Sequence, residues 1–141
     1  MTMTYQEQQL LQAVTGRAAI LDLTARHNRA YSDGDRDRWL ATFRHSGATY
    51  TRDGEVFRDL RSAFDGGDGQ RLVTLDHEIR IDGINAVQRC VVVLFASMYG
   101  DTTLRATGLF HDTLIYERGN WCFTSRELAW DSVPSRHPLV M

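Results

Sequence analysis

The stretch RLVTLDHEIRIDGINAVQRCVVVLFASM, residues 71–98, decides the fold. Over residues 71–82 apolar side chains recur at every second position, the period of a strand that buries one face. Asp82-Gly83 is turn chemistry, and a second strand follows over residues 86–98. Within it the run CVVVLFA, residues 90–96, is continuously apolar, as a strand needs when both faces are covered, so a central place in the sheet is expected. Two more strands follow over residues 103–117 and 121–130. Their turns, Tyr99-Gly100-Asp101 and Arg118-Gly119-Asn120, are short and local, which predicts an antiparallel meander.

Upstream the period becomes helical. Residues 5–32 read as helix, with Thr15 placed to cap a second segment at Gly16. Ile20, Leu23, His27, Ala30 and Tyr31 share one face of it. Ser32-Asp33-Gly34-Asp35 is a turn, and Asp35 caps a short helix whose apolar face is Trp39, Leu40 and Phe43. A short strand over residues 48–51, a turn at Arg52-Asp53-Gly54 and a further helix over residues 59–64 complete this half. Gly66, Gly67 and Gly69 end that helix in a loop. Helices followed by an antiparallel sheet predict an α+β domain, with the helices on one side of a curved sheet and a cavity at its open end.

The 141 residues are enough for one domain with a core and too few for two. One domain is expected over residues 1–141, with residues 1–14 either mobile or a separate short helix. A formal net charge of -2 offers no basic field for a phosphate backbone, so nucleic acid is not an expected partner. No apolar run is long enough to span a bilayer, and the start MTMTYQEQQ lacks the features of a signal peptide, so a cytoplasmic protein is expected. All 16 basic residues are arginine. Without lysine there is no Schiff base, no pyridoxal-phosphate linkage and no Walker-type phosphate loop. Cys90 and Cys122 are too few for a zinc motif and read as small buried hydrophobes. The run Asp33, Asp35, Asp37 lacks the spacing of a calcium loop and reads as a solvated turn. Neither a metal nor a cofactor is expected.

The informative residues are polar groups on apolar faces. On the strand over residues 103–117, Asp112 interrupts a face otherwise made of Leu104, Ala106, Gly108, Phe110 and Leu114. A carboxylate there must be paired, hydrogen-bonded, neutralised or open to a wet pocket. His77 interrupts the row Val73, Leu75, Ile79, Ile81, and His27 interrupts the helix stripe one turn before Tyr31. Taken singly, each is an ordinary satisfied core group. Taken together, His27, Tyr31, His77 and Asp112 could converge on one cavity as acid, base and hydrogen-bond donors.

With the segments AAILDLTARHNRAYSDGDRDRWLATF, LVTLDHEIRIDGINA and GLFHDTLIYERGNWCFTSREL, the chain resembles the SnoaL-like group of the nuclear-transport-factor-2-like superfamily. The resemblance implies a cone-shaped barrel of strongly curved, mostly antiparallel sheet wrapped around N-terminal helices and enclosing an apolar pocket. Members include polyketide cyclases, scytalone dehydratase and ketosteroid isomerase, alongside non-catalytic subunits of ring-hydroxylating dioxygenases. It matches Tyr31 to a tyrosine of the dehydratase-like members, and puts Ser32 and Leu72 where their aspartate and histidine dyad stands. It turns Leu72 and Asp76 into the pocket, whereas strand alternation turns His77 inward, and a bulge between them would satisfy both. Trp39, Tyr50, Asp76, Phe110 and Arg126 are the candidate substrate-binding residues. The function expected is a cofactor-independent cyclase, dehydratase or isomerase acting on a small cyclic hydrophobic molecule. The alternative, favoured by the missing dyad, is a non-catalytic ligand-binding or assembly module. A homodimer is expected under both.

Overall fold

Helix α1, Tyr5–Asp33, starts where the Thr4 hydroxyl accepts a hydrogen bond from the Glu7 amide. It stops at Gly34, whose φ of 71° is the left-handed conformation that ends helices and that glycine adopts freely. The computed structural model describes residues 2–132. No break occurs at Thr15-Gly16, because the Thr15 hydroxyl donates to the Leu11 carbonyl one turn back instead of capping a new helix. Gly16 is buried there, and a Cβ on it would stand 2.7 Å from Ile81 Cδ1, so the absent side chain lets the helix approach the sheet closely. Residues before it on α1 are exposed.

The short helix α2, Arg36–Leu40, is capped by Asp35, as its sequence predicts. Strand β1, Thr49–Arg52, pairs with a strand that the sequence pattern did not show, β2, Glu55–Phe57. The turn between them carries Asp53 at φ 49° and Gly54 at φ 86°, the two positive angles that a two-residue hairpin requires. Helix α3, Leu60–Ala63, leads into the meander β3, Gln70–Asp82; β4, Asn85–Met98; β5, Asp101–Glu117; and β6, Asn120–Trp130.

The sheet order is β2-β1-β6-β5-β4-β3, with β1 parallel to β6 and the other neighbours antiparallel. The sheet is open, with β2 and β3 as free edges, so the barrel of the expectation is not closed. Its inner face packs on α1, α2 and their apolar stripe, with Ile20, Leu23, Trp39, Phe43, Val92, Phe110 and Phe123 in the core. No helix among the described residues is long and apolar enough to cross a membrane.

Two details of β3 and β4 position the functional groups. The register slips between Leu75 and Glu78, with Asp76 at φ 53°, so two residues of β3 oppose one of β4. The slip turns Leu72 and His77 to the same inner side although their positions differ by an odd number. Asp76, expected in the pocket, is the residue that the bulge turns out, and it is exposed. Strand β4 lies between β3 and β5, one place from the edge, and nothing within the described residues covers its outer face. Val91, Val93 and Phe95 are therefore only half-buried.

Candidate functional site

A continuous line of polar side chains runs through the interior. Asp112 on β5 accepts from Arg126 Nε on β6 at 3.0 Å, with both side chains fully buried. The other oxygen, Oδ2, accepts from Gln88 Nε2 on β4 at 2.9 Å. The second hydrogen of that amide goes to Thr24 Oγ1 on α1, at 3.0 Å, and Thr24 in turn donates to the Ile20 carbonyl. Gln88 Oε1 is then left to accept from His77 Nδ1 at 2.9 Å. The network fixes the role of His77 Nδ1, which carries a hydrogen and donates it.

Burial drives Asp112 above the usual carboxylate range, and the Arg126 guanidinium and the Gln88 amide offset part of that shift. Arg126 lies over the Phe110 ring, 3.5 Å from its centroid, and 4.8 Å from that of Phe123. It approaches Cys90 Sγ at 3.9 Å. Burial pushes the Cys90 thiol up to about 11.

His27 belongs to a second cluster beside the first. Its ring packs against Trp39, Phe43 and Phe123, with centroids 5.1, 5.5 and 5.4 Å away. Its Nδ1 is 2.9 Å from Thr42 Oγ1, and that hydroxyl donates to the Trp39 carbonyl at 2.6 Å. Thr42 must therefore accept, so His27 also carries its hydrogen on Nδ1. Burial first, and the Arg126 charge second, hold His27 well below the ordinary 6.5, so it is neutral at neutral pH. Tyr50 is the register partner of Arg126 and lies 5.4 Å from Trp39. Burial raises both Tyr31 and Tyr50, so both stay protonated and act as donors. Tyr31 reaches Gln70 Oε1 at 3.5 Å and packs on Phe64.

Two donors in this region have no hydrogen-bond partner among the described residues: Trp39 Nε1 and Arg126 Nη1, both buried. Leaving such groups unmade costs about 1–3 kcal/mol each, more for the charged one, so their partner is to be sought outside the described residues. Oxygen of a small molecule is the natural complement. Among the described residues no group of three or more histidine, cysteine, aspartate or glutamate side chains could hold a metal ion.

The chain was compared with known proteins. Residues 12–127 match the family described as the SnoaL-like domain. The chain belongs to that family. Among solved structures, this SnoaL-like chain is similar to a nuclear-transport-factor-2-like protein with a cystatin-like fold from Novosphingobium aromaticivorans, at TM-score 0.79 and 18% identity over 96% of this chain and 95% of that one. It is similar to a protein of unknown function from Mycobacterium tuberculosis, at TM-score 0.77 and 23% identity, covering 94% and 79% of the two chains. A Novosphingobium aromaticivorans protein assigned as a scytalone dehydratase gives TM-score 0.72 and 15% identity over 92% of each chain. No curated protein matches at a significant level. At these identities the structures show the SnoaL-like cone fold.

Of the SnoaL-like candidates, the structure joins His77 to Asp112 and Arg126 through Gln88, and gathers His27, Trp39 and Tyr50 beside them. Phe110 stacks on Arg126, and Tyr31 lies toward the Phe64 end. The four catalytic candidates do not share one open cavity. None of four clefts found among the described residues is lined by His27, Tyr31, Asp112 or Arg126. Ser32 and Leu72, at the dyad positions, are in contact, with the Leu72 amide donating to Ser32 Oγ at 3.0 Å. Gln88 was missed, although Ala86, Gln88, Cys90 alternates as Phe110, Asp112, Leu114 does and carried the same signal. Thr24 and Thr42 carried none, since threonine on a buried face satisfies itself on the preceding turn.

Proposed function

We propose that this SnoaL-like protein binds a small cyclic hydrophobic molecule at the His27, Trp39 and Arg126 cluster and moves a proton on it without a cofactor. The observation that carries this reading is the pairing of a neutral buried histidine of fixed tautomer with two buried donors that lack partners. On a β-hydroxy ketone, His27 Nε2 takes the proton from the carbon next to the carbonyl. The carbonyl oxygen gains the charge and is held by Arg126 Nη1–H and Trp39 Nε1–H. Asp112 holds the guanidinium in place; as the enolate closes to the carbon–carbon double bond the C–O bond breaks, Tyr50 or Tyr31 gives its phenolic proton so that water leaves, and the proton taken by His27 returns to that tyrosine. The test is a panel of cyclic β-hydroxy ketones followed by the absorbance of the enone product. His27→Gln is expected to lower the rate about a hundredfold with the fold retained by circular dichroism. Equal rates in variant and parent refute the role.

A second reading, a binding or assembly module without chemistry, is favoured by the absence of His27, Tyr31, Asp112 and Arg126 from the lining of the four clefts. Saturable binding of panel members with no product from any of them selects it. Under either reading we place a second copy of the chain on the outer sheet face. Leu75, Val91 and Leu109 are aligned across three strands there, with Leu75 41% and Leu109 54% exposed. The two free thiols, Cys90 and Cys122, agree with a cytoplasmic setting.

A further inference from the structure

We propose that the cleft between α1 and the free edge of β3 is a second ligand site, for a small carboxylate that also carries a hydroxyl group. The cleft has a volume of about 430 Å³ and is lined by Asn28, Arg29, Asp33, Arg71, Thr74 and His77, with Leu21 and Leu72 as its apolar wall. It is separate from the His27 cluster, none of whose rings line it.

Asn28 is 8% exposed, and its Nδ2 donates to Thr74 Oγ1 at 2.8 Å. Its Oδ1 is buried on the cleft wall with no partner. A buried acceptor left unmade calls for a donor. His77 lines the cleft from β3: Nδ1 is committed to Gln88 Oε1, so the nitrogen on the far side of the ring is the one left for the cleft. The Gln88 amide is itself locked by Thr24 and Asp112, so the ring is held from behind by fully buried groups.

Asn28 Oδ1 suits a hydroxyl group, whose one hydrogen it accepts. The charge in the cleft suits an anion. Arg29 and Arg71 stand against the single carboxylate of Asp33, and neither arginine enters an ion pair among the described residues. An arginine fork binds a carboxylate through two parallel hydrogen bonds. The apolar wall leaves room for a ring or short chain on the same molecule.

The test is titration of isotope-labelled full-length protein with mandelate, which has the ring, hydroxyl and carboxylate, and with phenylacetate and benzyl alcohol, which each lack one polar group. The signals to follow are the Asn28 side-chain amide and the His77 ring. Mandelate is expected to shift both saturably at millimolar concentrations, with the other two probes about tenfold weaker. Arg71→Gln, at an exposed position, is expected to weaken mandelate about tenfold and leave benzyl alcohol unchanged. Asn28→Leu is expected to remove the preference for mandelate over phenylacetate. The proposal is overturned by equal affinity for mandelate and phenylacetate in the parent, by the absence of saturable shifts, or by shifts confined to Trp39 and His27. That last result would place the ligand in the core and leave the proposed proton-transfer site standing.

Discussion

Lowering the pH from 7.5 to 5.5 should destabilise the protein through His27, and replacing that one residue should remove the effect. In the unfolded chain the imidazole gains its proton around 6.5. In the folded protein burial and the Arg126 charge hold it well below that value, so across this window the unfolded state binds the extra proton and the folded state does not. Stability is therefore fully present above 6.5 and falls as the pH drops toward the folded value. Integrated over those two pH units, the loss is about 1.4 kcal/mol, a tenfold change in the folding equilibrium. Asp112 works the other way: its folded value is raised, so in the range between the ordinary and the raised value the folded state holds the proton better and gains stability on acidification. Its contribution is common to parent and variant and cancels in their difference. The assay is urea unfolding of the parent and His27→Gln, followed by fluorescence of the buried Trp39, at pH 7.5, 6.5 and 5.5. The gap between the two proteins should narrow by about 1.4 kcal/mol from the first pH to the last. A gap constant to within about 0.3 kcal/mol would show that His27 takes its proton in the folded state as readily as in the unfolded one, and the neutral-base argument would fall.

Gly66→Ala should cost about 1–3 kcal/mol, because its Cβ would lie 2.3 Å from the Tyr31 carbonyl oxygen, a backbone atom with nowhere to go. Gly16→Ala, where the obstacle is the tip of Ile81 and the helix gains up to about 1 kcal/mol of propensity, should stay within about 1 kcal/mol of the parent; thermal unfolding of both ranks them. Leu109→Arg, on the outer face, should convert a dimer to monomer in sedimentation without loss of fold, and a parent that sediments as a monomer at all concentrations refutes the proposed dimer.

The fold was legible because each half of the chain keeps one period for long enough. Strand alternation from Arg71 to Trp130, with glycine turns between, leaves an antiparallel meander as the economical arrangement. The register of β3 was legible only as a conflict. Leu72 and His77 cannot both face inward on a regular strand, and the bulge at Asp76 resolves it by a backbone angle that no side-chain pattern announces. The hairpin strand β2 was hidden because a three-residue edge strand is too short to show a period. Asp112 stood out as a charge on an apolar face, and its position predicted that it must have partners. That those partners would be Gln88 and Arg126 was beyond reach, since they come from neighbouring strands and their meeting depends on registers interrupted by bulges. That His27, Tyr31 and Asp112 line none of the four clefts was equally illegible, because the same inward aromatic residues can line a cavity or fill it, depending on shifts of a few ångströms.

The Asp112–Arg126 pair argues against a purely structural core. Removing two charges from water costs several kcal/mol each, and well-packed hydrophobic residues of similar volume commonly give equal or greater stability than a buried ion pair. A core selected for stability alone would also not leave a guanidinium nitrogen without a partner among the described residues. The pair does what apolar residues cannot: it fixes a cation between Phe110 and Phe123 beside a neutral histidine, and through Gln88 it fixes the donor role of Nδ1 on a second histidine at the cleft. Under the proposed function and the proposed cleft site, both consequences concern groups that meet a ligand. The polar line is therefore better explained by the positioning of reactive groups than by the holding together of the fold.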